Sequence, residues 1–220
     1  MATATQLKTH TKARLQMNGL TPFVMNSIEH ADPEDPLAIE IKALTDKGSK
    51  MTPEERSQRD ALRWRSSLYL DQSDVLVFPT RHLIVALSEA GAGVGAGKKT
   101  AIMERGAIAP VELEMQLDYD TPDGEPGGGK PADLRKLYAD QRYILRAMVN
   151  GNPSGGRRKS MVPLVRPTFP RWSMTTDLIV YHSEIGWDEF IQVVETAGRV
   201  GLGNARKIGM GRFSAEVTQI

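Results

Sequence analysis

The residues best suited to bind an anion lie in the last quarter of the chain, where glycines alternate with basic side chains. Between Glu195 and Phe213 the segment holds Gly198, Gly201, Gly203, Gly209 and Gly211 together with Arg206, Lys207 and Arg212. Glycine lets the backbone adopt positive φ and lets another backbone or a phosphate approach closely. Successive N–H groups in such a loop can form an anion-binding concavity, and the basic side chains add charge beside it. The pattern therefore indicates a loop that binds a polyanion.

The same glycines also have a purely structural explanation. Gly198 could be the residue that ends a preceding helix. The other glycines could serve a tight turn or close packing within a sheet. Composition and spacing leave both interpretations open.

Positive charge elsewhere is densest in a few short clusters. The chain has 28 basic and 27 acidic residues, a net charge of +1 with neutral histidines, so local clusters are a better guide than the total. The other clusters are Arg63-Trp64-Arg65, Lys98-Lys99 and Arg157-Arg158-Lys159. Trp64 could stack on a base, but a core anchor with its arginine neighbours in water is the favoured interpretation.

Signatures of nucleotide and metal chemistry are incomplete. The run over residues 91–100 resembles a phosphate loop, but Ala92 and Lys99 occupy positions where that loop needs Gly and Ser or Thr. The chain has no cysteine, and its four histidines lack metal-binding spacing. We therefore expect neither a metal site nor a cofactor.

Two groups of carboxylates follow turn signals. Asp32 and Asp35 precede prolines, and Asp118, Asp120 and Asp123 lie in a stretch rich in Gly and Pro. Either group could hold a divalent cation or supply a catalytic carboxylate. Turn residues are the commoner explanation, so the sequence favours a protein without catalytic activity.

The elements that would position these residues follow a strand–helix–strand order that occurs twice. Apolar periodicity predicts the type of each element. Strands are expected over 12–20, 75–78, 107–117, 143–149, 161–165, 172–181 and 213–217, and helices over 37–44, 53–66, 81–90 and 187–197. The order predicts an α+β protein with a ferredoxin-like (RRM-like) βαββαβ core, in which two helices cover one face of an antiparallel sheet.

Length and composition are those of an ordinary globular protein. The chain has 220 residues, of which 40% are hydrophobic and 25% charged. We expect a flexible N-terminus over 1–11 and a single domain over 12–220, with insertions at about 26–66 and 118–159. No apolar run reaches the length of a membrane span, and the first residues lack the apolar core of a signal peptide.

Three segments resemble the repeat-associated mysterious protein superfamily, whose ferredoxin-like members form the RNA-binding backbone of CRISPR effector complexes. Residues 201–213 resemble the family's C-terminal glycine-rich loop. Residues 17–25 resemble its first strand and the following turn. Residues 77–87 resemble its strand–proline–helix segment, whose basic helix start, here Arg81 and His82, often faces RNA.

The chain also resembles a family of proteins encoded by tailed bacteriophages and prophages. That likeness covers roughly residues 12–217 and lies in residues 19–26, 63–70 and 166–172 and in the terminal glycine-rich block. It implies a phage origin but no particular activity.

The superfamily resemblance implies a sheet whose loops hold the backbone of a single-stranded nucleic acid, and subunits that assemble head to tail. A thumb-like hairpin would come from residues 118–131 or 150–159. The residues expected to contact nucleic acid are Arg81, His82, Lys98, Lys99, Arg157, Arg158, Lys159, Arg206, Lys207 and Arg212, with Gly201, Gly203, Gly209 and Gly211 shaping the loop.

Three hypotheses follow. The first is a phage-encoded, non-catalytic protein that binds single-stranded RNA or DNA and assembles along the strand. It would act in the cytoplasm of the bacterial host, alone or together with other phage or CRISPR-complex proteins. The second is a structural or interaction protein, such as a virion component or a mimic of a CRISPR backbone subunit. The near-zero net charge favours this second class. A nuclease that uses Asp32 or Asp35 with a metal is the least favoured.

Overall fold

The fold is seen in a computed structural model that describes residues 9–28, 30, 32–95, 97–151 and 160–220. In chain order its elements are β1 (His10–Gly19), β2 (Phe23–Val24), α1 (Pro36–Asp46), α2 (Pro53–Arg65), β3 (Val77–Pro79), α3 (Thr80–Val94), α4 (Lys98–Met103), β4 (Ile108–Pro110), β5 (Glu114–Gln116), β6 (Asp118–Tyr119), α5 (Leu134–Ala139), β7 (Ile144–Gly151), β8 (Ser160–Phe169), β9 (Trp172–Tyr181), α6 (Trp187–Val200) and β10 (Phe213–Gln219).

The chain divides into two compact units. Unit 1 comprises Met1–Phe23, Val77–Tyr119 and Arg171–Ile220, and unit 2 comprises Val24–Leu76 and Asp120–Pro170. The single domain with two insertions stays a prediction. The N-terminal segment predicted to be flexible falls mostly outside the described residues, and β1 begins at His10, two residues earlier than predicted.

Unit 1 is built on a sheet with the order β10-β1-β9-β4, to which β6 adds a short pairing with β9. Each neighbouring pair is antiparallel. Along the chain, α3 lies between β1 and β4, and α6 lies between β9 and β10. The predicted ferredoxin-like βαββαβ core is therefore confirmed.

The core of unit 1 lies between this sheet and its two helices. Alternate residues of β1, namely Ala13, Leu15 and Met17, are completely buried, whereas Lys12, Arg14 and Gln16 are exposed. On α6, Phe190, Val193, Val194 and Ala197 are buried, and the helix packs against α3. The period of two in the strand and of about 3.6 in the helix places both apolar faces in one core.

Two boundaries in unit 1 differ from prediction. The helix α3 continues through Gly91 and Gly93 to Val94, and the short α4 follows it. A Cβ at Gly91 would lie 3.1 Å from the side chain of Ile102, so this glycine allows α4 to pack against α3 rather than ending the helix. The extended segment expected over 107–117 is two short strands, β4 and β5.

Unit 2 contains α1, α2, α5 and the antiparallel hairpin of β7 and β8, to which Val24 of β2 adds a third strand. The predicted capping box of α2 is confirmed, because the Thr52 hydroxyl accepts from the Glu55 N–H and the Glu55 carboxylate accepts from the Thr52 N–H. The α5 helix was not predicted, since its six residues are too few to show a clear periodicity.

Trp64 is part of the core of unit 2. Its side chain is 1% exposed, its Nε1–H donates to the Tyr143 carbonyl at 2.8 Å, and its ring packs edge-on against Tyr138. The core interpretation is therefore confirmed, and base stacking by Trp64 is wrong. Of its neighbours, Arg65 is exposed but Arg63 is half-buried.

One carboxylate on the exposed face of the unit 1 sheet has a strongly lowered pKa. Asp177 on β9 accepts two hydrogen bonds from Arg14 and lies 3.0 Å from Lys12 on the neighbouring strand β1. These partners lower the pKa of Asp177 to about 2. Because the folded state favours the ionised form, the interaction stabilises the fold above the ordinary pKa and is lost as the pH falls toward 2.

Replacing Asp177 by Asn is therefore expected to lower the free energy of unfolding by about 1 kcal/mol at neutral pH, since both cations are partly exposed and screened. Urea unfolding should give the same difference from wild type at pH 7 and pH 5, and about half of it at pH 3. Glu216→Gln, at an exposed position of β10 in the same sheet, serves as the control and should change little. A difference that does not vary with pH would contradict this explanation.

Candidate nucleic-acid interface

The glycine-rich loop (residues 201–212) begins where α6 ends. The N–H of Gly201 donates to the Ala197 carbonyl, and Gly201 has a φ of +96°. Gly198, for which a helix-ending role was one of the open explanations, lies inside α6, where an added Cβ would lie 2.4 Å from the Phe213 carbonyl oxygen. The helix-ending role therefore belongs to Gly201, and Gly198 allows close packing against β10.

Two glycines of the loop are required by close approaches between backbones. A Cβ at Gly211 would lie 1.8 Å from the Leu202 carbonyl oxygen, and one at Gly201 would lie 2.6 Å from that of Met210. Gly211 also has a φ of +71°. The structural explanation of the glycines is thus confirmed at these two positions. Gly203 and Gly209 also have positive φ, at +77° and +87°.

The turn after β1 fastens the loop. The Thr21 hydroxyl donates to the Gly209 carbonyl and accepts from the Arg212 N–H, both at 2.9 Å. The Gly211 N–H donates to the Pro22 carbonyl at 2.8 Å. Thr21 was not foreseen as part of the site, because its partners are nearly two hundred residues away in the sequence and no local signal marks such an interaction.

The anion-binding concavity of successive N–H groups is not formed at residues 208–212. Each of these five N–H groups donates to a protein acceptor, either within the loop or in the turn at Thr21 and Pro22. A donor that is already engaged offers little to a phosphate. We therefore correct the expectation from the sequence, and at these positions only side chains remain to bind an anion.

The basic side chains of the loop differ in how they are neutralised. Arg206 donates from Nη1 to the Glu89 carboxylate of α3 at 2.8 Å. Lys207 and Arg212 are exposed, and no acidic partner for either occurs among the described residues. Glu89 was also missed from the sequence, since it lies 117 residues from Arg206. The loop thus presents two unneutralised cations on a backbone held in place by hydrogen bonds.

The start of α3 lies beside this loop. No side chain caps its first turn, which contains no acidic residue, and the Thr80 N–H donates to the Leu113 carbonyl. Arg81 is exposed, and the His82 ring stacks on Phe78 with centroids 5.1 Å apart. Burial lowers the pKa of His82, and so do the charges of Arg81 and Arg206. His82 is therefore close to cations from both α3 and the loop.

The lysines at 98 and 99 lie at the other end of α3. Lys98 pairs with Glu189 in the first turn of α6 at 2.7 Å, and Lys99 is exposed. Lys98 lies next to Gly91, because a Cβ added at Gly91 would contact the backbone of Lys98. Gly91 and Arg81 are separated by about 15 Å along the axis of α3. The structure thus places His82 close to Arg81 and Arg206. Arg206 itself pairs with Glu89, whose neighbour Ser88 donates from its hydroxyl to the Lys99 carbonyl at 3.3 Å, so the loop extends along α3 toward Lys98 and Lys99.

Three further predicted cations follow β7 in the sequence. Arg157, Arg158 and Lys159 lie outside the described residues, in the connection between β7 and β8. Their binding to nucleic acid stays a prediction, as does a thumb-like hairpin at residues 118–131 or 150–159.

The candidate carboxylates serve as turn and cap residues. Asp35 is the N-cap of α1, accepting from the Leu37 and Ala38 N–H groups, and its other oxygen lies 3.0 Å from His30 Nδ1. Hydrogen bonding by His30 is the main cause of the lowered pKa of Asp35. Asp32 accepts from the Glu34 N–H.

The carboxylates of the second acidic group, Asp118, Asp120 and Asp123, do not act as one cluster either. Asp123 pairs with Lys136 at 2.7 Å, and Asp118 accepts from the side chain of Gln116. No three His, Asp or Glu side chains of the described ranges come together as a metal site requires. The interpretation as turn or cap residues is confirmed for Asp32, Asp35 and Asp123, whereas Asp118 belongs to strand β6. Within the same ranges, no helix is both long and apolar enough to cross a membrane.

Comparison with known proteins identifies structures of similar fold. A chain of the type III-B Cmr-beta complex bound to cognate target RNA superposes with a TM-score of 0.51 and 10% identity, over 96% of this chain and 61% of that chain. The present chain thus spans about three fifths of that neighbour's length. This likeness shows a common fold, in agreement with the fold that the superfamily resemblance implies.

Two further structures match with lower TM-scores. The crystal structure of Cmr4 has a TM-score of 0.42 and 8% identity, covering 95% of this chain and 99% of that one. Cmr6 from Pyrococcus furiosus has a TM-score of 0.35 and 10% identity, covering 96% of this chain and all of that one. No protein-family model and no curated protein matches the sequence.

Proposed function

We propose that this protein binds single-stranded nucleic acid, without cleaving it, through the start of α3 and the glycine-rich loop of unit 1. The observation that carries the proposal is that His82, next to Arg81 at the start of α3, lies close to Arg206 of the glycine-rich loop, more than 100 residues away in the sequence. Lys207 and Arg212 are exposed in the same loop. The fold shared with a chain of an RNA-bound complex supports the same assignment.

Phosphate is the group that this region suits. The first turn of a helix presents N–H groups and a positive dipole end, and here no acidic side chain competes for them. The exposed guanidinium groups of Arg81 and Arg212 can each bind a phosphate with two hydrogen bonds, and Lys207 adds a mobile point charge. Such interactions do not read bases, so we expect affinity that tolerates changes in sequence.

The finer features of the proposal rest on the resemblances described above. We propose that subunits assemble head to tail along the strand, that the protein is encoded by a phage, and that it acts in the cytoplasm of the bacterial host. Both RNA and single-stranded DNA remain candidates, because no side chain of the region identifies a reader of the 2′-hydroxyl.

A specific observation favours a second function, that of a structural or protein-interaction subunit. Leu20 and Ile208 are each 68% exposed. Leu20 is hydrogen-bonded through its N–H to the Arg212 carbonyl, and Ile208 lies within the glycine-rich loop. Large apolar side chains exposed beside a rigid loop suit an interface with another protein. The two functions predict opposite outcomes in a direct binding measurement.

Fluorescence anisotropy with labelled single-stranded RNA, single-stranded DNA and duplex DNA tests the proposal. We expect binding to one or both single strands at low salt. If Arg81, Lys207 and Arg212 each neutralise one phosphate, the logarithm of the binding constant should fall with the logarithm of salt concentration with a slope of about −2.

The absence of binding at about 50 mM salt would overturn the proposal. An ordered polymer of the purified protein without nucleic acid would then favour the structural function. Binding that does not weaken with salt would also contradict the assignment, because it would not depend on phosphate neutralisation.

A further inference from the structure

Unit 2 holds two neighbouring arginines, and among the described residues no carboxylate forms an ion pair with either of them. Arg63 lies near the end of α2, Arg166 lies on β8, and α2 packs against β8. Both side chains are half-buried. A guanidinium group does not lose its proton under ordinary conditions, so burial without an anion is costly.

Arg166 has an unused donor. Its Nη1 donates to the Val165 carbonyl at 3.0 Å, but its Nε is buried and has no hydrogen-bond partner. Burial lowers the pKa of Arg166, and the charge of Arg63 lowers it further. Buried polar groups in native proteins are almost always satisfied, so an unpartnered guanidinium N–H indicates a missing acceptor.

Arg63 is in a similar position. Its Nη2 donates to the Thr45 hydroxyl of α1 at 3.3 Å, and its pKa is lowered first by burial and then by the charge of Arg59. Asp60 opposes this effect, but it already pairs with Arg59 at 2.8 Å and with Arg146 at 3.2 Å. Because Asp60 is shared among several arginines, the positive charge of Arg63 is only partly neutralised.

The sequence around β7 and β8 provides no further acid. Residues 141–176 contain no Asp or Glu, whereas they contain seven basic residues: Arg142, Arg146, Arg157, Arg158, Lys159, Arg166 and Arg171. No nearby part of this hairpin could therefore supply the missing negative charge. Among the described residues no carboxylate forms an ion pair with Arg63 or Arg166, because the nearby Asp60 pairs with Arg59 and Arg146 instead. An anion from outside the chain would neutralise both.

We propose that Arg63 and Arg166 form a binding site for a phosphate-type oxyanion, with the Thr45 hydroxyl beside Arg63 as a further donor. Arginine suits this role because its planar donors match the spacing of phosphate oxygens. The group could be supplied as free phosphate or as a phosphodiester of a nucleic acid, since both present the same oxygens. This site belongs to unit 2 and does not depend on the function proposed for unit 1.

Thermal unfolding of the full chain in sodium phosphate, against sodium chloride at equal pH and ionic strength, tests the site. Phosphate should raise the Tm of the wild type by about 3 °C when it is well above its dissociation constant. In Arg166→Met this response should disappear. The Tm of that variant in chloride should equal or exceed that of wild type, because an apolar side chain of similar length removes an uncompensated buried charge.

Arg142→Met is the matched control, since Arg142 is exposed in the same unit and already paired with Asp140 at 2.6 Å. It should keep the full response to phosphate, which separates the site from the general stabilising effect of this salt. Arg63→Met provides a second variant with the same expected loss of response. Repeating the series with a short oligouridylate in place of phosphate distinguishes a phosphodiester from the free anion.

A wild type that responds to neither phosphate nor the oligonucleotide would overturn the proposal. So would an Arg166→Met variant that responds like wild type. If the oligonucleotide alone raises the Tm and Arg166→Met abolishes this rise, the site binds a phosphodiester.

Discussion

Replacing Gly211 by alanine is expected to lower the free energy of unfolding by about 3–4 kcal/mol, the range of severe single substitutions. The new Cβ would lie 1.8 Å from the Leu202 carbonyl oxygen, and the residue has a φ of +71°. Relief of this clash requires the two backbones to separate. That movement would break the hydrogen bonds from the Leu202 N–H to the Gly211 carbonyl and from the Gly211 N–H to the Pro22 carbonyl.

The matched control is Gly209→Ala. Gly209 has a similarly positive φ of +87°, but the nearest atoms to an added Cβ belong to the Arg212 guanidinium, 3.9 Å away. Only the conformational penalty remains, which is about 1 kcal/mol. Urea unfolding of both variants therefore measures the steric clash separately from the backbone strain. Equal losses of stability would show that the clash at Gly211 is relieved at no cost.

The sequence was most informative where apolar periodicity covers a whole element. Trp172–Tyr181 was predicted with its observed bounds, and β1 and α6 differ from prediction by one to three residues. In each of these elements one face is buried, so hydrophobic pattern and burial coincide. The capping box at Thr52 was equally predictable from the sequence, because its two hydrogen bonds join residues three positions apart.

Elements with short or interrupted patterns were less predictable. The α4 helix has six residues, and it packs where Gly91 leaves room, so tertiary packing rather than local propensity determines the end of α3. The sequence of the glycine-rich segment revealed its basic residues but not the hydrogen bonds that its backbone makes. Which of its cations are neutralised depends on Glu89, and which N–H groups are engaged depends on the turn at Thr21.

These distant partners determine which part of the candidate site can act. A glycine-rich sequence with three basic residues predicts an anion site made by backbone and side chains together. In the folded chain the N–H groups at 208–212 are engaged and Arg206 is paired with Glu89. The charge available to a ligand is reduced to Lys207 and Arg212 in the loop and to Arg81 on α3.

Charge reversal at Lys207 and Arg212 is therefore expected to weaken binding of single-stranded nucleic acid by about 100-fold at low salt. In the proposed complex, each substitution by Glu removes a cation that neutralises a phosphate and adds a repulsive charge. Because two fewer phosphates are then neutralised, the salt dependence should become shallower by about 1.4 in slope. Both side chains are exposed, so the fold should be unaffected. Anisotropy titrations across a range of salt concentrations measure both quantities.

A second double reversal, Lys99→Glu with Arg105→Glu, changes the net charge of unit 1 by the same amount. Lys99 is exposed in α4, beyond the far end of α3, and Arg105 pairs with Glu184 at 2.7 Å. Neither residue belongs to the glycine-rich loop or to the first turn of α3, so neither contacts phosphate in the proposed complex. This variant should therefore lose only a few-fold in affinity. Equal losses in the two variants would mean that binding follows net charge, and the assignment to the glycine-rich loop would be wrong.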